Sequence, residues 1–254
     1  MNKQVLNLSL VVVLLALVSF VPPAGKIKVY LIGDSTMAVK QTKAYPENGW
    51  GMPFVNFFNE QVSVENHAQN GRSTRTFVEE NRWKLVMDSL KKGDYVFIQF
   101  GHNDEVSTKR SYTNPEAFEG FLRQFISDTR HKKAFPILLT PVARRKFDAS
   151  GKIEDTHAAY AAIVRAVAKK EQVPFIDLSQ KSMELYQKYG PETSKLLFNH
   201  LEPGIHPNYP QGKIDDTHFN ELGAREIAQI VLQGIRDLHL DLEAYVVKPP
   251  VKKN

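Results

Sequence analysis

The chain of 254 residues contains no cysteine. That excludes disulfides, thiolate metal sites, cysteine nucleophiles and a lipid anchor on an N-terminal cysteine. It also lacks an internal repeat, a low-complexity tract and a linker between two domains. Lysines and arginines are scattered, apart from a short tail carrying Lys248, Lys252 and Lys253. The net charge of +5 therefore forms no stripe interleaved with aromatics. Nucleic acid is not an expected partner. A soluble basic surface accounts for the charge, and an anionic polymer as substrate suits it too.

What is present begins with an address. Lys3 is followed by an almost wholly apolar run from Leu10 to Val21, broken by Ser19. The run is short for a bilayer span and has the length of a signal-peptide core. Residues 1–24 are read as a signal peptide or N-terminal anchor. Val21-Pro22-Pro23-Ala24-Gly25 offers no clean cleavage pattern, so both forms stay open. Either way export to a periplasmic or external space is expected, with no stable membrane span after processing. Residues 25–245 are read as one domain and 246–254 as a basic tail. The composition, 42% hydrophobic and 24% charged, is that of an ordinary globular protein.

Along the domain, apolar runs alternate with helical spacing. Strands are expected at Ile27–Ile32, Val62–Asn66, Tyr95–Phe100, Phe135–Leu139 and Val173–Ile176. Between them Trp83, Val86, Met87 and Leu90 recur at helical intervals. So do Phe118, Phe121, Leu122 and Phe125, behind an Asn114-Pro115 cap. Tyr160, Ile163, Val164 and Val167 repeat the pattern, and Ile227, Ile230, Val231 and Ile235 give a last helix. This rhythm implies right-handed crossovers and a parallel sheet covered on both faces. Residues 190–214, rich in proline and glycine, are read as one long loop of the kind that often carries function.

In such sheets ligands bind beyond the carboxyl ends of the strands. Gly33-Asp34-Ser35 follows the first strand, and a segment containing Gly71 follows the second. Gly101-His102-Asn103-Asp104 follows the third. Asp215-Asp216-Thr217-His218 precedes the last helix. A hydroxyl, a glycine turn, an amide and an Asp/His pair are the parts ester hydrolysis needs. Each alone has a plainer reading: turn, helix cap or surface residue. Their order and placement carry the argument.

These blocks resemble the SGNH hydrolase superfamily, also called GDSL esterases: "GDST" at 33–36, a glycine inside "NHAQNGRSTRTF", "GHND" at 101–104 and Asp-x-x-His at 215–218. Threonine stands where the common signature has leucine. "GDSTMA", "GRSTRTF", "DYVFIQFGHND", "DDTHFNELGA" and "NGWG" are similar to the rhamnogalacturonan acetylesterases in particular. The resemblance implies a three-layer α/β/α sandwich, flavodoxin-like, with a five-stranded parallel sheet. It implies Ser35 as nucleophile, His218 as general base and acid, and Asp215 as the carboxylate orienting it. Ser35 and Gly71, through backbone N–H groups, and Asn103, through its side chain, would form the oxyanion hole. The implied reaction removes O-acetyl groups from an acetylated plant cell-wall polysaccharide or oligosaccharide, pectic rhamnogalacturonan foremost. It needs no metal or organic cofactor. Rival readings are a xylan deacetylase, thioesterase or lysophospholipase on the same scaffold, or a carbohydrate-binding protein without catalysis.

Several residues carry two readings at this stage. Glu154-Asp155-Thr156-His157 mimics the last block, but it opens a helix, where Asp155 would serve as a cap. Asp216 has the wrong spacing and is expected to be exposed or structural. Asp34 should brace the nucleophile turn. Trp50, and equally Trp83, could stack on a sugar or fill the core. Arg72 and Arg75 could meet a uronate carboxylate or water. His102 and His67 could line the cleft, with a hydrogen-bonded structural role the better expectation. His200 and His206 match no familiar ligand spacing.

Overall fold

The structure is a computed structural model, and it describes residues 26–248. The leader at 1–24 and the end of the basic tail lie outside the described residues. Five parallel strands form the central sheet in the order β2-β1-β3-β4-β5. They are β1 (Ile27–Gly33), β2 (Val62–Asn66), β3 (Tyr95–Gln99), β4 (Phe135–Leu139) and β5 (Phe175–Ile176). All five lie at or within one residue of expectation except β5, which is shorter at its start. Short helix α1 (Gly51–Phe54) and then α2 (Thr74–Glu79) and α3 (Arg82–Ser89) precede β3. Helices α4 (Pro115–His131), α5 (Ala158–Glu171), α6 (Leu178–Thr193) and α7 (Glu221–Asp237) complete the layers.

Period-two alternation explains why the sheet is covered twice. Val29 and Leu31 of β1 face one apolar layer with Phe54, Ile227, Val231 and Ile235. Tyr30 and Ile32 face the other, with Val86, Phe118, Leu122, Phe125 and Val164. A strand buried on both faces reads as a continuous apolar run, which is why these strands were visible in the sequence. Phe125 is fully buried between Trp83, Phe77 and Phe100. Truncating it to alanine should cost about 3 to 5 kcal/mol. The Asn114 side chain accepts from the Ala117 N–H and Pro115 opens α4, as the cap signature predicts.

Short helices α1 and α2 were not expected, and two larger elements depart from the sequence reading as well. Helix α6 was not expected; its N-cap is Asp177, whose carboxylate accepts from the Gln180 N–H. The segment expected to be one long loop contains the end of α6, a 3-10 turn and strand β6 (Phe198–Leu201). β6 pairs antiparallel with β7 (Lys213–Phe219) in a two-stranded sheet of its own. Gly190 and Pro191 kink the end of α6, and the remaining prolines and glycines of the segment occupy the connection between those strands. A hairpin this small is marginal alone and must be held from outside.

Candidate active site

Strand β1 ends at Gly33, where a Cβ would lie 2.5 Å from the backbone carbonyl of Gln99 on β3. Only glycine permits that approach, and the chain turns immediately beyond it. Asp34, fully buried, accepts at Oδ1 from the Thr36 N–H (2.9 Å) and hydroxyl (2.8 Å). It braces the turn as expected, and Ser35 sits at its tip. Burial pushes the Asp34 carboxyl above the usual range, while the Thr36 bonds work against the rise.

The imidazole arrives from the hairpin. Phe198 pairs with Phe219 but Asn199 pairs with Asp215, so Asp216, Thr217 and His218 are looped out of register. A bulge re-aims side chains, and this one swings His218 toward the nucleophile. His218 Nε2 lies 3.0 Å from Ser35 Oγ, although 183 residues separate them. His218 Nδ1 lies 2.9 Å from Asp215 Oδ2. The other Asp215 oxygen accepts from the Thr217 and His218 N–H groups, both at 2.9 Å. An ionised carboxylate only accepts, so Nδ1 carries the proton and Nε2 is left to accept from the serine hydroxyl. Burial acts to raise the Asp215 carboxyl, but the bonds and charge of His218 outweigh it and hold it well below the usual range.

The amide donors come from neighbouring strand ends. Gly71 has φ +77° with open space where a Cβ would stand, so backbone conformation fixes its identity. Asn103 Nδ2 donates to the Arg72 carbonyl at 3.1 Å, locking the amide against the Gly71 loop. Asp104 Oδ1 accepts from the Thr74 N–H (2.9 Å) and hydroxyl (2.6 Å), anchoring the start of α2 to the same strand end. The structure therefore brings Ser35, Asp215 and His218 together, with Gly71 and Asn103 on the adjoining loops.

Other expectations fare differently. Trp50 has no exposed surface; its ring N–H donates to Gln99 Oε1 at 2.7 Å, so it offers no face to a sugar. Trp83 is also interior, bonded to Asp128. His102 is buried with Nε2 2.8 Å from the Val142 carbonyl, which corrects its reading as a substrate contact. Burial pushes its ring well below the ordinary histidine value, with the neighbouring His157 adding to the shift. Arg72 stays at the surface, bonded to Glu80 and to the Asn70 carbonyl. With Gly71, Glu79 and Arg110 it lines a cavity of about 350 Å³ beside the oxyanion loop. Arg75 is tied to Glu79.

His157 is buried on Glu105, 2.9 Å away, and does not reach Ser35. Asp155 accepts from the His157 N–H rather than capping α5 itself. Asp216 is structural, held by Arg145 (2.7 Å) and His200 (2.8 Å). His67 lies against the Tyr30 ring, and His206 lies between Tyr45 and Tyr209. Among the described residues, one group of metal-ligand side chains converges: Glu47, Asp215 and His218. Lysine ammonium groups already sit on both carboxylates. Sequence reading missed those lysines, Lys40 and Lys213, together with Glu47. Lone charges in loops leave no periodic signal. Asp104 was the one missed residue with a signal, being adjacent to Asn103 in its block.

A parallel sheet that delivers a hydroxyl, a ring braced by an acid, and amide donors to one edge defines a serine-type ester hydrolase. The sequence matches the GDSL-like lipase/acylhydrolase family over residues 31–225, and the chain belongs to that family. It is 44% identical over 229 residues to rhamnogalacturonan acetylesterase RhgT of Bacillus subtilis (strain 168), covering 90% of this chain and 97% of that protein. It is 36% identical over 224 residues to the probable rhamnogalacturonan acetylesterase YesY of the same organism, covering 87% and 97%. The crystal structure of protein YXIM from Bacillus subtilis superposes with a TM-score of 0.74 at 25% identity, covering 86% of this chain and 58% of that one.

Proposed function

We propose that this carboxylic ester hydrolase removes acetyl groups from pectic rhamnogalacturonan through an acetyl-serine intermediate. The 3.0 Å approach of His218 Nε2 to Ser35 Oγ carries the chemistry, and the 44% identity to a rhamnogalacturonan acetylesterase supports the substrate. His218 takes the Ser35 proton as Oγ attacks the acetyl carbonyl carbon. The carbonyl oxygen becomes an oxyanion, stabilised by the N–H groups of Ser35 and Gly71 and the Asn103 amide. Collapse breaks the bond to the sugar oxygen, which leaves with the proton held on His218. Water then attacks the acetyl-serine, giving its proton to His218, and acetate departs as Ser35 Oγ regains a proton.

Acetate release from acetylated rhamnogalacturonan, acetylated xylan and p-nitrophenyl esters of rising chain length tests the reading. The pectic polymer should be fastest, and octanoate esters should react far more slowly than acetate. Ser35→Ala should lower kcat by at least about 10⁴-fold with an unchanged circular-dichroism spectrum. Equal rates on all polymers would refute the substrate assignment, and wild-type rates in the variant would refute the nucleophile.

A further inference from the structure

A line of alternating charges runs behind the catalytic groups. Lys40 lies in the loop after Ser35, and its side chain is 2% exposed. Its Nζ donates to the Ser35 carbonyl and, at 2.9 Å, to the Asn70 side chain next to Gly71. The same ammonium lies 2.8 Å from Glu47 Oε1. The other Glu47 oxygen is 3.3 Å from Lys213 Nζ. Lys213 in turn lies 3.2 Å from Asp215 Oδ2, the oxygen that accepts from His218. Its ammonium also stands over the Tyr209 ring, 4.8 Å from the centroid. The line thus leaves the nucleophile's carbonyl and returns to its hydroxyl through Asp215 and His218.

We propose that Lys40, Glu47 and Lys213 are positioning residues that join the nucleophile turn and the oxyanion loop to the hairpin bearing the acid and base. The proposal rests on the esterase reading above. Geometry carries it: beside the Ser35–His218 bond and the Asn48 N–H bond to the Phe219 carbonyl, these bonds and ion pairs join the turn, Asn70 and β7. Burying a lysine and a glutamate is costly unless they are paired, so each link depends on the next. Burial pushes the Lys40 ammonium down while Glu47 pulls it back. Lys213 also places a cation beside the acid whose negative charge must steady the imidazolium. Removing that cation would leave the Asp215 charge unopposed beside the ring, and this is the change that a charge-neutral variant reads.

The groups around His218 define the test. Asp215 and Lys213 lie on β7, and Ser35, Lys40 and Glu47 on the loop after β1. Asp34 and His102 are buried nearby, and Arg144 donates to Thr217 Oγ1 at 2.8 Å. Asp216 is occupied by Arg145 and His200. Lys213→Met changes only one of these charges. The acid limb of kcat/KM on p-nitrophenyl acetate should move up by about half to one pH unit. Lys213→Arg should restore the wild-type limb, whereas Glu47→Gln should lower kcat more than it changes KM. The same upward shift should appear in the ring signals of His218 followed by NMR in Ser35→Ala protein, which needs no turnover. A limb and a ring titration that coincide in Lys213→Met and wild type would overturn the proposal. Failure of the esterase reading would show separately, as a wild type that releases no acetate while the ring titration still moves.

Discussion

The two halves of the site are held in opposite ways. Ser35, Gly71 and Asn103 stand beyond the ends of three adjacent strands, β1, β2 and β3, and rest on a buried network. Trp50 donates to Gln99, Gln99 to the Thr36 hydroxyl at 2.8 Å, and Thr36 to Asp34. All four residues have no exposed surface. Asp215 and His218 stand instead on a two-stranded hairpin outside the main sheet, tethered by ion pairs at its edge. A core strand is positioned by packing and can rely on largely uncharged bonds. The hairpin enters the core only at Phe198 and Phe219; its half-exposed stretch with Lys213 and Asp215 is held by directional, charged tethers.

The comparison is broken hardest at the base. Asp215→Asn would keep the acceptor for the Thr217 and His218 N–H groups but turn a donor toward His218 Nδ1. The ring would then carry its proton on Nε2 and could not accept from Ser35. We expect kcat to fall about 10⁴-fold and Tm to drop as the charged tether to Lys213 is lost, and steady-state kinetics beside a melting curve checks both. On the nucleophile side Asn103→Ala removes one donor of the oxyanion hole and leaves the pairing of Ser35 with His218 in place. A loss of about 10²- to 10³-fold in kcat, at nearly constant KM, is the expected outcome. A loss as large as that of Asp215→Asn would mean that Asn103 also shapes the turn.

The same contrast explains what could be read in the chain. Strands such as Tyr95–Gln99 were legible because burial on both faces demands an unbroken apolar run. The cap of α4 was legible because Asn-Pro has a local mechanism. The blocks at strand ends gave the site residues, whose meeting depends on topology the alternation of elements had already implied. The bulge that aims His218 left no mark, since register is settled by a partner strand. Trp50 was ambiguous because its role is decided by Gln99, 49 residues away. Lys213 finds Glu47 across 166 residues, a distance no local pattern spans.

The smallest effect concerns the floor of the nucleophile half. Asp104 is fully buried, and only Oδ1 is bonded; Oδ2 has no hydrogen-bond partner within the protein. Burial raises its carboxyl from 3.8 to about 7, with the Thr74 bonds opposing the rise and the nearby Asp34 adding to it. An acid whose folded value is raised binds its proton more tightly when folded. Its contribution to stability is therefore fully present below about pH 4 and is lost as pH climbs through about 7. Asp215 has the opposite sign, its value depressed in the fold, so its contribution is constant above about pH 5. His102 also titrates in this range on unfolding, but it does so in wild type and variant alike. Asp104→Asn keeps the acceptor for Thr74 and removes the ionisation. The variant should match wild type near pH 4 and exceed it by about 1 to 3 kcal/mol at pH 8, read from urea denaturation at both values. A difference independent of pH would place Asp104 in its charged form throughout, and the buried half of the site would then rest on charge as the hairpin does.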